Sequence, residues 1–197
     1  NGYNSLFAYN FSTPPGMRVC DRVIYLAGTI NDFFGFTELN FPSYRLEFPV
    51  EGEPCEVPEP TPLTTQTITD PVAMEKLESG LVRLSGFHVA KHFGPKLVPS
   101  TNTFDDDQSN CDLNGDGQVD FTSMDEGPCS AACDADPECS EFTSFSARGS
   151  IKVTDGKSII IIQTGSVSGF DPLSNRGKVL SALTGTLRNF SGGTLNW

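Results

Sequence analysis

Five oxygen-bearing residues recur at regular intervals in one short stretch of the chain, with a glycine after the third of them. They are Asp112, Asn114, Asp116, Gln118 and Asp120. Calcium prefers six to eight oxygen ligands, and alternate residues of a tight loop bring their oxygens to one point. The spacing therefore predicts a calcium-binding loop in which Gln118 contributes its backbone carbonyl.

The same stretch resembles the calcium loops of EF-hands and dockerins. It departs from them at the twelfth position, where Ser123 replaces the usual Glu or Asp. Asp125 or Glu126 could supply the missing carboxylate, as could the acids between Cys133 and Cys139. No helical pattern flanks the loop, so we do not expect a paired EF-hand sensor. The alternative is a solvated turn rich in Asp, Asn and Gly.

The net charge of −12 has one source. Residues 105–141 contain twelve acidic residues and no Lys or Arg, whereas the other 13 acidic residues equal the 13 basic residues of the chain. Such a run often indicates a disordered tail, but four cysteines and patterned glycines argue against one here. The charge also disfavours nucleic-acid binding, which needs a basic surface.

The six cysteines indicate disulfides in an oxidising compartment. None forms a Cys-x-x-Cys pair, and two histidines are too few for a zinc cluster. Fifteen pairings are possible, so the sequence leaves the connectivity open. We favour Cys20 with Cys55 and two bridges among Cys111, Cys129, Cys133 and Cys139.

Most of the local patterns predict strands. Residues 22–30 are rich in β-branched and aromatic side chains, and Asp155-Gly156 joins two strands, 150–153 and 158–164, in a hairpin. The apolar run at 159–162 predicts a strand buried on both faces. One short helix is expected at 70–79, capped by Asp70.

An internal repeat relates residues 28–41 to residues 185–197. Each copy contains Gly-Thr, an aromatic residue, a glycine and a final Leu-Asn-aromatic group, which predicts a strand, a turn and a second strand. About a hundred residues precede the second copy within its half of the chain, but only 27 precede the first. The first domain is therefore expected to lack its opening strand, which could precede Asn1 or come from another chain. A sheet with an unfilled edge favours strand addition.

The order of strands resembles the five-stranded barrels of OB-folds, in particular the OB-like modules of secreted bacterial surface proteins. The residues that carry this resemblance are 20–39 and 75–84. It implies an all-β chain with two small OB-like barrels or sandwiches in tandem. Residues 1–60 would form a partial domain ending in a proline-rich linker. Residues 61–197 would form the second domain, with a disulfide-rich calcium-binding insertion at 104–142.

Other groups of residues offer weaker signals. His88 and His92 have the spacing of a zinc helix, but Val89 stands where the motif requires Glu. Gly165 to Gly169 is not a nucleophile elbow, because Val167 occupies the nucleophile position. The aromatic residues Phe33, Phe34, Phe36, Phe41 and Tyr44 are expected mainly in the core, with an exposed subset as the alternative.

These observations predict a non-enzymatic, calcium-stabilised extracellular or cell-surface protein with a structural or adhesive role. Its open edge predicts self-association, including assembly into a filament by strand addition. The alternative is a carbohydrate- or nucleic-acid-binding module of a secreted enzyme. No apolar run is long enough to span a membrane. The chain begins at Asn1, so we expect a processed product of a longer precursor.

Overall fold

The computed structural model describes residues 4–12, 14–49, 54–55, 57–91, 96–98, 100–101, 103–105, 148–165 and 167–189. Strands predominate over helices in these residues, and the helices are few and short, as predicted for this part of the chain. No helix among the described residues is long and apolar enough to cross a membrane.

The described elements are numbered in chain order. They are β1 (Phe7–Tyr9), β2 (Arg22–Phe33), β3 (Phe36–Glu47), β4 (Thr61–Pro62), α1 (Thr65–Ile68), α2 (Pro71–Glu75), β5 (Leu81–Leu84), β6 (His88–Val89), β7 (Lys96–Val98), β8 (Thr103–Asp105), β9 (Ser150–Thr154), β10 (Ile159–Gln163), a 3-10 turn (Leu173–Asn175) and β11 (Leu183–Thr186). The chain divides into two compact units. Unit 1 comprises Asn1–Leu63, Asp70–Arg83 and Thr184–Trp197, and unit 2 comprises Thr64–Thr69 and Leu84–Leu183.

Unit 1 contains a three-stranded sheet in the order β1-β3-β2. β2 and β3 form the predicted hairpin of the first repeat copy, while the short β1 lies parallel to β3 on its other side. A second sheet has the order β11-β5-β4, with β4 parallel to β5. The buried apolar side chains of unit 1 are Phe36, Leu39, Leu63, Met74, Val82 and Leu187.

Helix α2 begins as predicted but ends early. The Asp70 carboxylate accepts hydrogen bonds from the backbone N–H groups of Val72 and Ala73, at 2.9 and 3.2 Å. After Glu75 the helix gives way to tighter turns, in which the Leu77 and Glu78 N–H groups donate to the Met74 and Glu75 carbonyls. The next N–H group, that of Ser79, donates to the Leu187 carbonyl at 2.9 Å, so a tertiary hydrogen bond satisfies a donor that the helix no longer uses.

Unit 2 contains the sheet β10-β9-β6, and β7 pairs with β8. The β9–β10 hairpin confirms the prediction made from Asp155-Gly156. Burial on both faces of β10 was wrong, because Ile160 and Ile162 are buried while Ile159 and Ile161 are only half-buried. The buried apolar side chains of this unit are Leu84, Phe87, Val89, Ala90, Ile151, Val153, Ile160 and Ile162.

The sheets in the described residues are open. Each has two or three strands, whereas an OB-fold closes its barrel with five. Too few strands are joined here for closure, so the predicted OB-like barrels are not confirmed.

Candidate functional site

The predicted calcium ligands lie outside the described residues. They are Asp112, Asn114, Asp116, Gln118, Asp120, Asp125 and Glu126. His92 and the four cysteines from Cys111 to Cys139 also lie outside them. Within the described part of the chain, no group of three or more His, Cys, Asp or Glu side chains is arranged to hold a metal ion. The calcium loop therefore stays a prediction.

The feature that stands out in the described residues is strand β2. It is twelve residues long and lies at the edge of its sheet, with β3 as its only strand neighbour among the described residues. Backbone N–H and C=O groups on the open side of an edge strand can pair with another chain. Most edge strands in native proteins are short, which limits such pairing, but β2 is not.

The side chains of β2 are exposed along almost its whole length. Ala27 alone is half-buried; the other eleven residues are exposed. The large apolar side chains are between 41% and 60% exposed, and they are Val23, Ile24, Tyr25, Leu26, Ile30 and Phe33. Successive side chains of a strand point to opposite faces, so neither face of β2 is covered. An apolar strand exposed on both faces is typical of an interaction surface.

The hairpin is anchored at its turn end. Phe36 and Leu39 of β3 are buried, whereas the later residues of β3 are exposed or half-buried. The Arg188 guanidinium lies over the Phe36 ring. The Phe7 ring of β1 also packs against Phe36, with the two ring centres 5.2 Å apart. These contacts fix the turn end, while the other end of the hairpin extends away from the unit's buried core.

A disulfide lies next to the far end of the hairpin. Cys20 and Cys55 are bonded, as predicted, and Cys20 stands two residues before β2 begins. The Arg22 guanidinium also lies 3.6 Å from the Glu47 carboxylate on β3. Together the disulfide and the ion pair constrain the end of the hairpin that the core does not hold.

Glu78 is a buried acid near the anchored end. It is 9% exposed, and its Oε1 atom has no hydrogen-bond partner among the described residues. Burial raises the pKa of Glu78, and the nearby carboxylates of Glu75 and Asp32 raise it further. Backbone hydrogen bonds from Thr37 and Asn189 lower that pKa but do not offset the increase. The residue therefore links the two copies of the repeat through their backbones.

The aromatic residues are distributed differently from the prediction. Phe36 is buried, but Phe33, Phe34 and Phe41 are exposed and Tyr44 is half-buried. Placing most of these residues in the core was therefore wrong. The reason is that only the first turn of the hairpin reaches the core, whereas the sequence pattern does not distinguish anchored from projecting parts of a strand.

A second group of aromatic rings, in which Phe11 and Phe41 are exposed and Tyr9 is half-buried, was not predicted as a cluster from the sequence. The rings of Tyr9, Phe11 and Phe41 lie with centres 5.2 to 6.0 Å apart. Phe41 has a φ angle of 45°, in the left-handed region that bulky residues rarely adopt. The sequence contained one sign of this irregularity, the pair Phe41-Pro42, because proline within a strand indicates an edge or a bulge.

The remaining sequence candidates in the described residues belong to unit 2. His88 lies half-buried in β6, and its backbone pairs with Val179. Residues 165 and 167–169 form turns, as expected for a loop. No protein-family model matches the sequence, and no match was found among curated proteins or solved structures.

Proposed function

We propose that the chain is a non-enzymatic structural or adhesion module that acts outside the cell and self-associates by strand addition. Strand β2 is the observation that carries the proposal. When a long, apolar edge strand that is exposed on both faces pairs with another chain, part of its apolar surface is removed from water, which is favourable.

The disulfide supports the location. Disulfides persist in oxidising compartments and are rare in the cytosol. The Cys20–Cys55 bond is present in the described residues, and the even cysteine count allows two more. An extracellular or cell-surface protein is the setting in which all six cysteines pair.

The sequence of the acidic segment, residues 105–141, is what supports a bound calcium ion. Like charges at the density of residues 105–141 repel one another, and a bound calcium ion would reduce that repulsion. Extracellular calcium modules bind at about 10⁻⁴ to 10⁻³ M, which suits a permanently bound structural ion. Asp112, Asn114, Asp116, the Gln118 carbonyl and Asp120 would hold it, with Asp125 or Glu126 completing the set.

The calcium part is tested by thermal melts of the non-reduced protein with excess calcium and with a chelator. We expect calcium to raise the melting temperature, and the paired change Asp112→Asn with Asp116→Asn to abolish the increase. Asp107→Asn is the matched control, because it removes charge from the same acidic segment outside the loop. An equal melting temperature in calcium and chelator would rule out the structural ion.

The self-association part is tested by light scattering and sedimentation over a range of concentrations. We expect particles larger than one chain, and we expect Leu26→Lys to abolish them by placing a charge in the middle of β2. Val179→Lys is the matched control, since Val179 is exposed and belongs to unit 2. Strictly monomeric behaviour at about 1 mM would refute strand addition.

A carbohydrate-binding module is the second candidate, favoured by the exposed rings of Phe11 and Phe41 beside the half-buried Tyr9. Aromatic rings can stack on sugars, and the Tyr9 hydroxyl offers a hydrogen-bonding group. Calorimetric titration with soluble oligosaccharides would show heat that Phe11→Ala removes. Nucleic acid is disfavoured, because the net charge of −12 repels phosphates.

A further inference from the structure

We infer that the partner of β2 is the β2 strand of a second copy of this chain, lying antiparallel to it. In this arrangement Arg22 of each copy lies opposite Asp32 of the other. The inference rests on the proposed self-association and adds the identity of the partner strand and its direction.

The argument begins with the charges of β2. Arg22 is the first residue of the strand and Asp32 is the last but one, and these are its only charged residues. Between them lie the exposed apolar side chains described above. A parallel pair of β2 strands would place Arg22 against Arg22 and Asp32 against Asp32. An antiparallel pair places opposite charges together at both ends, which is favourable where like charges would repel.

The same arrangement also matches the apolar residues. When Arg22 faces Asp32, Ala27 lies on the twofold axis and Ile24 faces Ile30. Apolar cross-strand pairs of this kind stabilise antiparallel sheets. Both residues are exposed in the single chain, at 50% and 60%, so pairing would remove apolar surface from water.

Both irregularities of β2 lie between Arg22 and Asp32. The pairing with β3 shifts register between Val23 and Tyr25, where Ile24 is the extra residue on β2, and again between Ala27 and Thr29. Such a shift offsets the ladder locally by one residue. The antiparallel direction, which brings the Arg22 end of one copy to the Asp32 end of the other, does not depend on it. Each shift adds local twist to β2, and a twofold axis applies the same twist to both copies.

Symmetry then limits the assembly. A self-complementary surface closes as a twofold dimer, whereas a head-to-tail contact between two different surfaces builds a filament. Pairing of β2 with β2 therefore yields a six-stranded sheet in the order β1-β3-β2-β2-β3-β1. A filament would need a second contact elsewhere on the chain.

Charge reversal tests the inference. Sedimentation would give the dimer dissociation constant for wild type, for Arg22→Glu, for Asp32→Lys and for the double variant. Each single change creates two like-charged contacts across the dimer, so we expect about tenfold weaker dimerisation. The double variant restores opposite charges at both ends, and we expect its dissociation constant to return close to that of wild type.

Contacts within a single chain cannot explain a return of dimerisation in the double variant. Arg22 and Asp32 are ten residues apart on one extended strand, or about 33 Å, so their side chains cannot meet. Arg22→Glu also loses the ion pair with Glu47, and Asp32→Lys loses the hydrogen bond that Asp32 accepts from the Gly35 N–H at 2.8 Å. The double variant repairs neither local contact. Circular dichroism of each variant would show whether the fold is retained.

The outcomes separate the two proposals. Monomeric wild type at about 1 mM overturns both self-association and this pairing. Self-association that the double variant fails to restore overturns the antiparallel pairing alone, while strand addition stands. Restored dimerisation in the double variant, with retained folds in all variants, supports the antiparallel β2 pair.

Discussion

The guanidinium carbon of Arg188 lies 4.7 Å from the centre of the Phe36 ring. The Phe7 ring is also close, with its centre 5.1 Å from the same carbon. Phe36 is fully buried and Arg188 is exposed, so the cation covers the outer side of the core of unit 1. Residues from three distant parts of the chain thus meet where the β2–β3 hairpin is anchored.

We expect Arg188→Ala to lower the free energy of unfolding by about 1 kcal/mol, because the cation–π contacts and the covering side chain are both lost. Arg188→Lys should lose less, since it keeps a cation near the rings. Urea unfolding followed by circular dichroism measures the change, with Arg83→Ala as the control for removing an exposed arginine. An Arg188→Ala midpoint equal to that of wild type would show that these ring contacts contribute nothing.

The buried carboxyl of Glu78 should lower the stability of the fold near neutral pH. Its pKa is raised above its usual value of 4.5, mainly by burial. A raised pKa in the folded state means that stability is fully present below the unfolded value and is lost as pH rises through the folded value. We expect Glu78→Gln to remove this loss and to raise the melting temperature near pH 7.

The neighbouring acid provides the control for Glu78. Glu75 raises the pKa of Glu78, so Glu75→Gln should lower that pKa and make the loss of stability smaller without removing it. Melting temperatures measured at intervals between pH 4 and pH 8 would distinguish the two variants. Parallel pH profiles for wild type and Glu78→Gln would contradict the role given to this carboxyl.

Asp155 of unit 2 should give stability the opposite pH dependence. Burial raises the pKa of Asp155, but hydrogen bonds from the Thr65 hydroxyl, the Ser158 and Lys157 backbones and the Ser158 hydroxyl outweigh it, so the pKa lies below its usual value of 3.8. A lowered pKa contributes stability that is present above the unfolded value and is lost as pH falls through the folded value.

We therefore expect Asp155→Ala to cost about 2 kcal/mol at pH 7, since several hydrogen bonds to a charged acceptor are lost. The variant should also lose part of the acid sensitivity below pH 4. Asp155→Asn keeps an oxygen acceptor for the turn and should cost less. A stability cost for Asp155→Ala that stays constant down to pH 2 would show that the charge has no part in it.

Two glycines of unit 2 offer a matched pair. Gly149 and Gly156 both have left-handed φ angles, of 66° and 83°. A Cβ atom at Gly149 would lie 2.6 Å from the Gly165 backbone nitrogen, whereas at Gly156 it would meet nothing within 4 Å. Gly156→Ala should cost about 1 kcal/mol for backbone strain alone. Gly149→Ala should cost about 3 kcal/mol, because the backbone must also move.

Thermal unfolding of both variants measures this difference. Equal costs would mean that the chain at Gly149 relaxes without disturbing its neighbour. A larger loss for Gly156→Ala than for Gly149→Ala would contradict the close approach of residues 149 and 165.

Local patterns determined much of the secondary structure. The Asp70 cap, the β9–β10 hairpin and the strand from Arg22 depend on residues that are close in sequence, and all three are confirmed. The Cys20–Cys55 bond was also anticipated, because these two cysteines stand apart from the other four. Calcium binding by Asp112 to Asp120 depends on local spacing as well, but these residues lie outside the described part of the chain.

Burial and partners were decided by the tertiary structure. The residues of β2 are as apolar as those of a core strand, yet they are exposed, because only the turn end of the hairpin reaches the buried core. Helix α2 ends at Glu75, and past it the Ser79 N–H donates to the Leu187 carbonyl, far away in sequence, rather than continuing the helix. Contacts between residues far apart in sequence set these outcomes, and hydrophobic patterns describe only what a strand can bury, not whether anything covers it.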